Sequence, residues 1–323
     1  MIMNTLIAMT MGLVLNMMLG RPAFFSQYEK HIMSVAKKFE KKLKKSYKDS
    51  SEAQRTAGGM LVLFMLLIFS GIPLLLIILA YLTFPFIGIL LEALFFWFSI
   101  NIKNTRLYAY GILRTVKAGN LVGAQKRLSR FTGKDCSEMD MDTIIKTTIE
   151  KTSDRSINGG FSPIFYMMLF GGFGAMLYKT MCLLNGEIAR NKDDYIDFGD
   201  GTKKIWDVLG FIPSRIAAKF LMLDVRILSL DKNNAKRIYK RDRTHATPAF
   251  LGEARAVIAG AIGIQLNKEP FYDGTLMRTR SIGQPVKNCE PNDIYWTNQL
   301  FYGSVFCFYL ACALVRMLLF LIF

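Results

Sequence analysis

The feature that most constrains this chain is the stretch Met60–Leu82, more than twenty residues without one charged side chain. A helix that crosses a bilayer needs roughly 20 apolar residues. A run of that length has no comparable use on a soluble domain. Three further stretches share its character. Met1–Gly20 has no charged side chain, Phe86–Ile100 carries only Glu92, and Leu300–Phe323 carries only Arg316. The first is long enough for a signal peptide but lacks the basic n-region and the small-residue cleavage pattern, so it reads as an uncleaved span. The third is short and is expected to tilt or to extend to Asn101. Hydrophobic residues make up 52% of the 323-residue chain, which fits membrane-embedded helices rather than an unusually large soluble core.

Charge sets the expected topology. The net charge is +16, and eight lysines fall between Lys30 and Lys48. A basic run can mark nucleic-acid binding, but this one lies between two apolar stretches, and the bias of lysine and arginine toward cytoplasmic loops explains it without a nucleic acid. With Arg21–Arg55 inside, Met60–Leu82 exits, the uncharged turn Thr83-Phe84-Pro85 reverses the chain, and Phe86–Ile100 returns. The polar region from Lys103 to about Asn298 is then cytoplasmic, and the last helix exits again. This gives three expected parts: a membrane region with a basic helix (1–102), a cytoplasmic or interfacial helical region carrying the site (103–298), and a terminal membrane helix (299–323). The expected fold is all-α, a polytopic membrane protein of about four to six embedded helices in the plasma or inner membrane, with membrane lipids as partners. The five cysteines show neither a paired disulfide pattern nor zinc-ligand spacing.

Along the chain, Phe25, Tyr28, Ile32, Val35, Ala36, Phe39 and Leu43 recur at nearly helical period with lysines opposite. This predicts a basic amphipathic helix over Phe24–Tyr47, either on an anionic membrane surface or docked against the protein. Glu92 stands at membrane depth, where a carboxylate faces a cavity or partner unless it reaches the interface. Arg106–Arg130 reads as two helices broken at Gly119-Asn120, and Asp140 or Asp142 is placed to cap the next. Gly159–Leu184 is apolar enough for a fifth span but is interrupted by Gly159-Gly160, Pro163 and Gly171-Gly172, as in helices that break around a cavity. Asp207–Val225 reads as an interfacial helix, Asp231–Arg243 as a solvated basic connector, and Ala254–Ile264 as a small-residue helix that packs closely. Phe271–Asn288 is expected to be an ordered loop with turns at Asp273-Gly274 and Ile282-Gly283, and Asp293 is placed to cap the final helix.

No nucleophile elbow, zinc-protease motif, dinucleotide fingerprint or phosphate loop is present. What remains is a mixed polar set between apolar elements: Asp154, Arg155, Asn158, Lys179, Asn185, Glu187, Asp197, Asp207, Arg215 and His245. Taken singly, each fits a salt bridge or cap. Together they offer carboxylates for Mg²⁺ at Asp154 and Asp207, cations for phosphate or carboxylate at Lys179 and Arg215, and a general base at His245.

The order of several motifs resembles the CbiB/CobD family, the membrane-bound adenosylcobinamide-phosphate synthases of cobalamin biosynthesis. Gly133-Lys134-Asp135-Cys136 with Met139-Asp140, the stretch Asp154–Tyr166, and Gly174-Ala175 with Tyr178-Lys179 resemble successive family elements. So do Asp197-Phe198-Gly199, Asp207-Val208-Leu209, Ile212-Pro213-Ser214-Arg215, and His245 with Thr247-Pro248 followed by Ala259-Gly260-Ala261. Tyr272, Gly274 and Ile282-Gly283 match a late loop. The resemblance implies amide formation between an aminopropanol, or its phosphate, and adenosylcobyric acid, a corrinoid. It further implies ATP with Mg²⁺ and contact with other enzymes of the pathway. It would make Asp154, Asn158 and His245 catalytic, and Glu92, Lys179, Asn185, Asp207 and Arg215 substrate-binding. The chain departs from the pattern where Asp154-Arg155 replaces Glu-Asn, Asn158 replaces Asp, Asn185 replaces Asp, and Arg255 or Glu253 stands where the family has Glu. The second reading is therefore a non-catalytic relative, like the AmpE-type membrane proteins, that binds a corrinoid, a lipid or a partner protein.

Overall fold

The computed structural model describes residues 2–47, 50–188, 197–266, 271–272, 275–276 and 280–322. The chain is an all-α polytopic membrane protein. Among the described residues four helical runs are long and apolar enough to cross a bilayer: Ser51–Thr83, Pro85–Lys117, Met141–Gly186 and Pro291–Ile322. The N-terminal apolar run differs from the expected separate span. It forms α1 (Ile2–Leu19), which meets α2 (Ala23–Ser46) at a bend of 112°, the geometry of a broken span or a re-entrant loop. The described chain divides into two compact units. One comprises Met1–Asn101, Ser162–Leu209 and Ala311–Phe323; the other comprises Ile102–Phe161 and Gly210–Leu310.

In the first unit, α2 buries Phe25, Ile32 and Ala36 of the expected stripe, leaves Tyr28 of that stripe exposed, and keeps Lys30, Lys37, Lys38, Lys41 and Lys42 outside. Ser50 starts α3 (Ser51–Leu66) by accepting the Ala53 N–H at 3.1 Å. A π turn at Leu67–Gly71 leads into α4 (Ile72–Thr83), beside Pro73, which has no N–H to give the helical ladder. Phe84 is extended, and Pro85 opens α5 (Pro85–Ser99). Leu75, Leu79 and Leu82 of α4 stay exposed, as lipid-facing side chains do. α5 packs on α1, α4 and α9 (Ser162–Ile188).

α9 is interrupted where the glycines suggested. Gly171 sits at φ 63°, ψ −152°, a conformation open to glycine, and a side chain there would run into the Glu92 carboxylate. In a regular helix the Gly172 N–H would bond the Met168 carbonyl. Here the N–H goes to Glu92 Oε1 at 3.1 Å, and the Met168 carbonyl takes Arg316 Nε at 2.9 Å. A carboxylate and a guanidinium thus complete the two ends of an opened helical bond.

The second unit is built round small-residue contacts. α6 (Ile102–Lys117) and α7 (Leu121–Thr132) are separated at Asn120, which caps α7 through the Gly123 N–H at 2.7 Å. Asp140, rather than Asp142, caps α8 (Met141–Ser156) by accepting the Thr143 N–H at 2.9 Å. A π turn at Ile157–Phe161 follows. α10 (Asp200–Ile227) contains both Asp207 and Arg215. The stretch Asp231–Arg243 is not a solvated connector: Asp231 caps α11 (Lys232–Asp242), which buries Ala235 and Ile238 against α12 (Leu251–Ile262). Its polar composition hid two apolar residues three apart, enough to seat one face. Two short antiparallel pairs complete the loop region: β1 (Gln265–Leu266) with β4 (Ile282–Gly283), and β2 (Phe271–Tyr272) with β3 (Thr275–Leu276). The expected Asp273-Gly274 turn lies outside the described residues. α13 (Pro291–Ile322) begins where Asp293 accepts the Glu290 N–H at 2.8 Å.

Candidate functional site

The sequence-predicted residues are shared between the two units. Asp154, Asn158, Arg215 and His245 stand in the second; Glu92, Lys179, Asn185 and Asp207 stand in the first.

In the second unit α12 carries the central side chain. Arg255 forks onto Asp154, with Nε to Oδ1 at 2.7 Å and Nη2 to Oδ2 at 2.8 Å, and its Nη1 reaches Glu150 Oε1 at 3.0 Å. Lys151 Nζ stands 3.7 Å from Asp154. Both carboxylates and the guanidinium are largely buried, so the cluster is a dry, bidentate charge network. Glu150 escaped the sequence reading, although it lies one helical turn before Asp154, a spacing that puts both on one face. Arg155 points elsewhere, donating to the Phe131 carbonyl at 2.6 Å and lying over the Phe131 ring. Asn158 sits in the π turn after α8.

His245 follows α11. Its Nδ1 is 3.0 Å from the Ser281 carbonyl and 3.6 Å from Asp242 Oδ1. A carbonyl only accepts, so in the neutral ring Nδ1 carries the proton and Nε2 keeps its lone pair. Asp242 is fully buried. It accepts both Arg241 Nε (2.6 Å) and Nη2 (2.8 Å) and the Gly283 N–H (2.8 Å). Burial works to raise its carboxyl, but these partners outweigh burial and hold it below the ordinary aspartate range. Asp242 was missed by the sequence reading; its signal was the i, i+3 spacing to His245. Arg215 is half-exposed, stacks on Phe211 with 3.7 Å to the ring centre, and stands 3.7 Å from the buried Glu253.

In the first unit, Lys179 pairs with Glu29 at 2.6 Å, and Glu29 is also held by Arg21. Glu92 is buried, accepting the Tyr81 hydroxyl at 3.0 Å beside its bond to Gly172. Asn185 is partly buried near the end of α9, and Asp207 is exposed on α10.

These residues do not fit a resident Mg²⁺. Both Asp154 oxygens are occupied by one guanidinium, and Asp207 stands exposed on α10 with no second carboxylate beside it among the described residues. Among the described residues no three His, Cys, Asp or Glu side chains gather as ligands. What the second unit offers is an oriented imidazole, a half-exposed arginine and an internally neutralised acid pair.

Comparison with known proteins gives the chain's family. The CobD/Cbib protein family matches residues 9–301. A Clostridium perfringens protein named cobalamin biosynthesis protein CobD is 28% identical over 314 residues, covering 96% of this chain and 99% of that protein. A Streptococcus sanguinis protein of the same name is 34% identical over 209 residues, 64% of this chain and 65% of its own. One from Clostridium tetani is 26% identical over 302 residues, covering 93% and 94%. No solved structure matches the chain.

Proposed function

This chain belongs to the CobD/CbiB protein family, and we propose that its part in cobalamin biosynthesis is to join an aminopropanol, or its phosphate, to a carboxyl of adenosylcobyric acid as an amide. The observation that carries this reading is His245, whose Nδ1 is tied to the Ser281 carbonyl so that Nε2 is free to accept a proton. In the proposed step the amine nitrogen attacks the acyl carbon and the C–N bond forms. The bond from that carbon to its leaving group breaks, and the leaving group departs with the electron pair. The proton shed by nitrogen passes to Nε2 of His245. The acyl carbon must carry a leaving group; ATP, which the resemblance implies, would supply it as phosphate. Arg215, half-exposed and stacked on Phe211, is suited to an anionic group such as the phosphate of a phosphorylated amino alcohol. The proposed setting is the plasma membrane, which the long apolar runs of the chain suit.

The second reading is a corrinoid-binding relative without catalysis. Arg255 favours it, because a guanidinium fills the place between Glu150 and Asp154 where an active acid or a metal would act. One experiment separates the two. Detergent-purified protein is given adenosylcobyric acid, ATP, Mg²⁺ and aminopropanol phosphate, and the mixture is analysed by mass spectrometry. An amide product that disappears in His245→Ala supports the synthase. Corrinoid binding without product supports the second reading. No corrinoid binding, where the Clostridium perfringens relative binds, refutes both.

A further inference from the structure

We infer that α2 holds the headgroup phosphate of an anionic phospholipid in a groove on its lysine face, a site separate from the proposed chemistry. Lys30, Lys37 and Lys41 line this groove with Ser26 and Ser34, at spacings of three, four or seven residues, so they form one stripe along the helix. Lys38 borders the same groove. At 1.5 Å per residue, Lys30 and Lys41 are about 16 Å apart along the axis, enough for more than one headgroup. The groove's one carboxylate, Glu29, is already engaged by Lys179 and Arg21 and leaves the stripe positive. Among the described residues no carboxylate is paired with Lys30, Lys38 or Lys41.

Two observations point to a lipid rather than a soluble anion. The groove has an apolar side, Met33 from α2 and Leu183 from α9, suited to the glycerol and first methylenes of an acyl chain. The chain around it is also membrane-bound: α2 follows the apolar α1 and precedes the run Ser51–Thr83, which is long and apolar enough to span. Phe24 and Tyr28, both exposed near the start of α2, are the aromatic type found where headgroups meet acyl chains. A lysine stripe held at that level meets anionic headgroups, and hydroxyls at Ser26 and Ser34 add donors to phosphate oxygens.

The test uses the full chain in dodecyl maltoside, titrated with phosphatidylglycerol or phosphatidylcholine, with bound lipid counted by native mass spectrometry. The expected result is preferential retention of phosphatidylglycerol, weakened by salt. Each lysine near an anionic surface contributes roughly five-fold, so K30Q/K37Q/K41Q is expected to weaken phosphatidylglycerol on the order of 100-fold. K30R/K37R/K41R should keep the affinity, which separates charge from folding. K232Q/K236Q/K240Q, the same charge loss on α11, should leave it unchanged. Equal loss in the α11 variant, or no loss in the α2 variant, overturns the proposal. So does inorganic phosphate or an oligonucleotide that competes at similar concentration and loses its binding to the same α2 changes, because the ligand would then be a soluble anion or a nucleic acid.

Discussion

Replacing Glu92 by alanine isolates the most unusual polar contact in the membrane region. The substitution removes the acceptor of the Gly172 N–H (3.1 Å) and of the Tyr81 hydroxyl (3.0 Å), both in a buried setting. An unsatisfied buried donor costs about 1–3 kcal/mol and the hydroxyl bond adds about 1 kcal/mol. Arg316, which feels the Glu92 charge while donating to the Met168 carbonyl, loses its counter-charge as well. Removing one partner of a buried ionic arrangement costs about 3–5 kcal/mol, and the sum falls in that range. Glu92→Gln keeps one oxygen for Gly172 and an amide that can donate to Tyr81 but still removes the charge beside Arg316, so it is expected to cost less than Glu92→Ala without matching wild type. Equilibrium unfolding in detergent, followed by circular dichroism, measures both. If Glu92→Ala lies within about 1 kcal/mol of wild type, the completed-helix account is wrong. Amide synthesis measured on Glu92→Gln then addresses the substrate-binding role. A variant that melts like wild type but makes no product assigns the carboxylate to the site; a stable, active variant confines it to holding the broken helix.

Three further outcomes follow from the second unit. Arg255→Met strands Glu150 and Asp154 as buried charges and should cost about 3–5 kcal/mol, most of it recovered when Glu150→Gln and Asp154→Asn are added, as read from unfolding of the three combinations. His245→Asn should lower the rate of amide formation by roughly 10²–10⁴-fold with little change in corrinoid binding, measured by single-turnover kinetics; an unchanged rate removes His245 as the base. Asp224 is buried on α10, and that burial, partly offset by the Ser304 N–H, lifts its carboxyl from 3.8 to about 6. The unfolded chain ionises it first, so its charge destabilises the fold progressively from about pH 4 to about pH 6 and by a constant amount above. Asp224→Asn should therefore be more stable than wild type above pH 6 and gain nothing at pH 4, in melts run across that range.

Local periodicity accounts for most of what the sequence made legible. Met60–Leu82 read as a spanning helix because more than twenty residues pass without a charged side chain, and the lysines of α2 had to lie opposite Phe25, Ile32 and Ala36 because the helical period puts them there. The break at Gly119-Asn120 and a cap at Asp140 or Asp142 were readable because a cap acts on N–H groups within three residues of itself, and the structure settles them on Asn120 and Asp140. Gly171 announced a break but not what would complete it. The donors and acceptors that do so, Glu92 and Arg316, are 80 and 148 residues from their partners.

The sequence by itself determined an all-α membrane chain, its principal helices, and through its ordered motifs the family. The tertiary structure alone decided the pairings: Asp154 with Arg255 across 101 residues, Lys179 with Glu29, His245 with the Ser281 carbonyl. The physical reason is one of range. A helix and its caps are fixed by hydrogen bonds between near neighbours in the chain, so their signals are local. A carboxylate attracts each of the 41 lysines and arginines by the same law, and only the packing of helices brings one of them within 3 Å and takes water from between them.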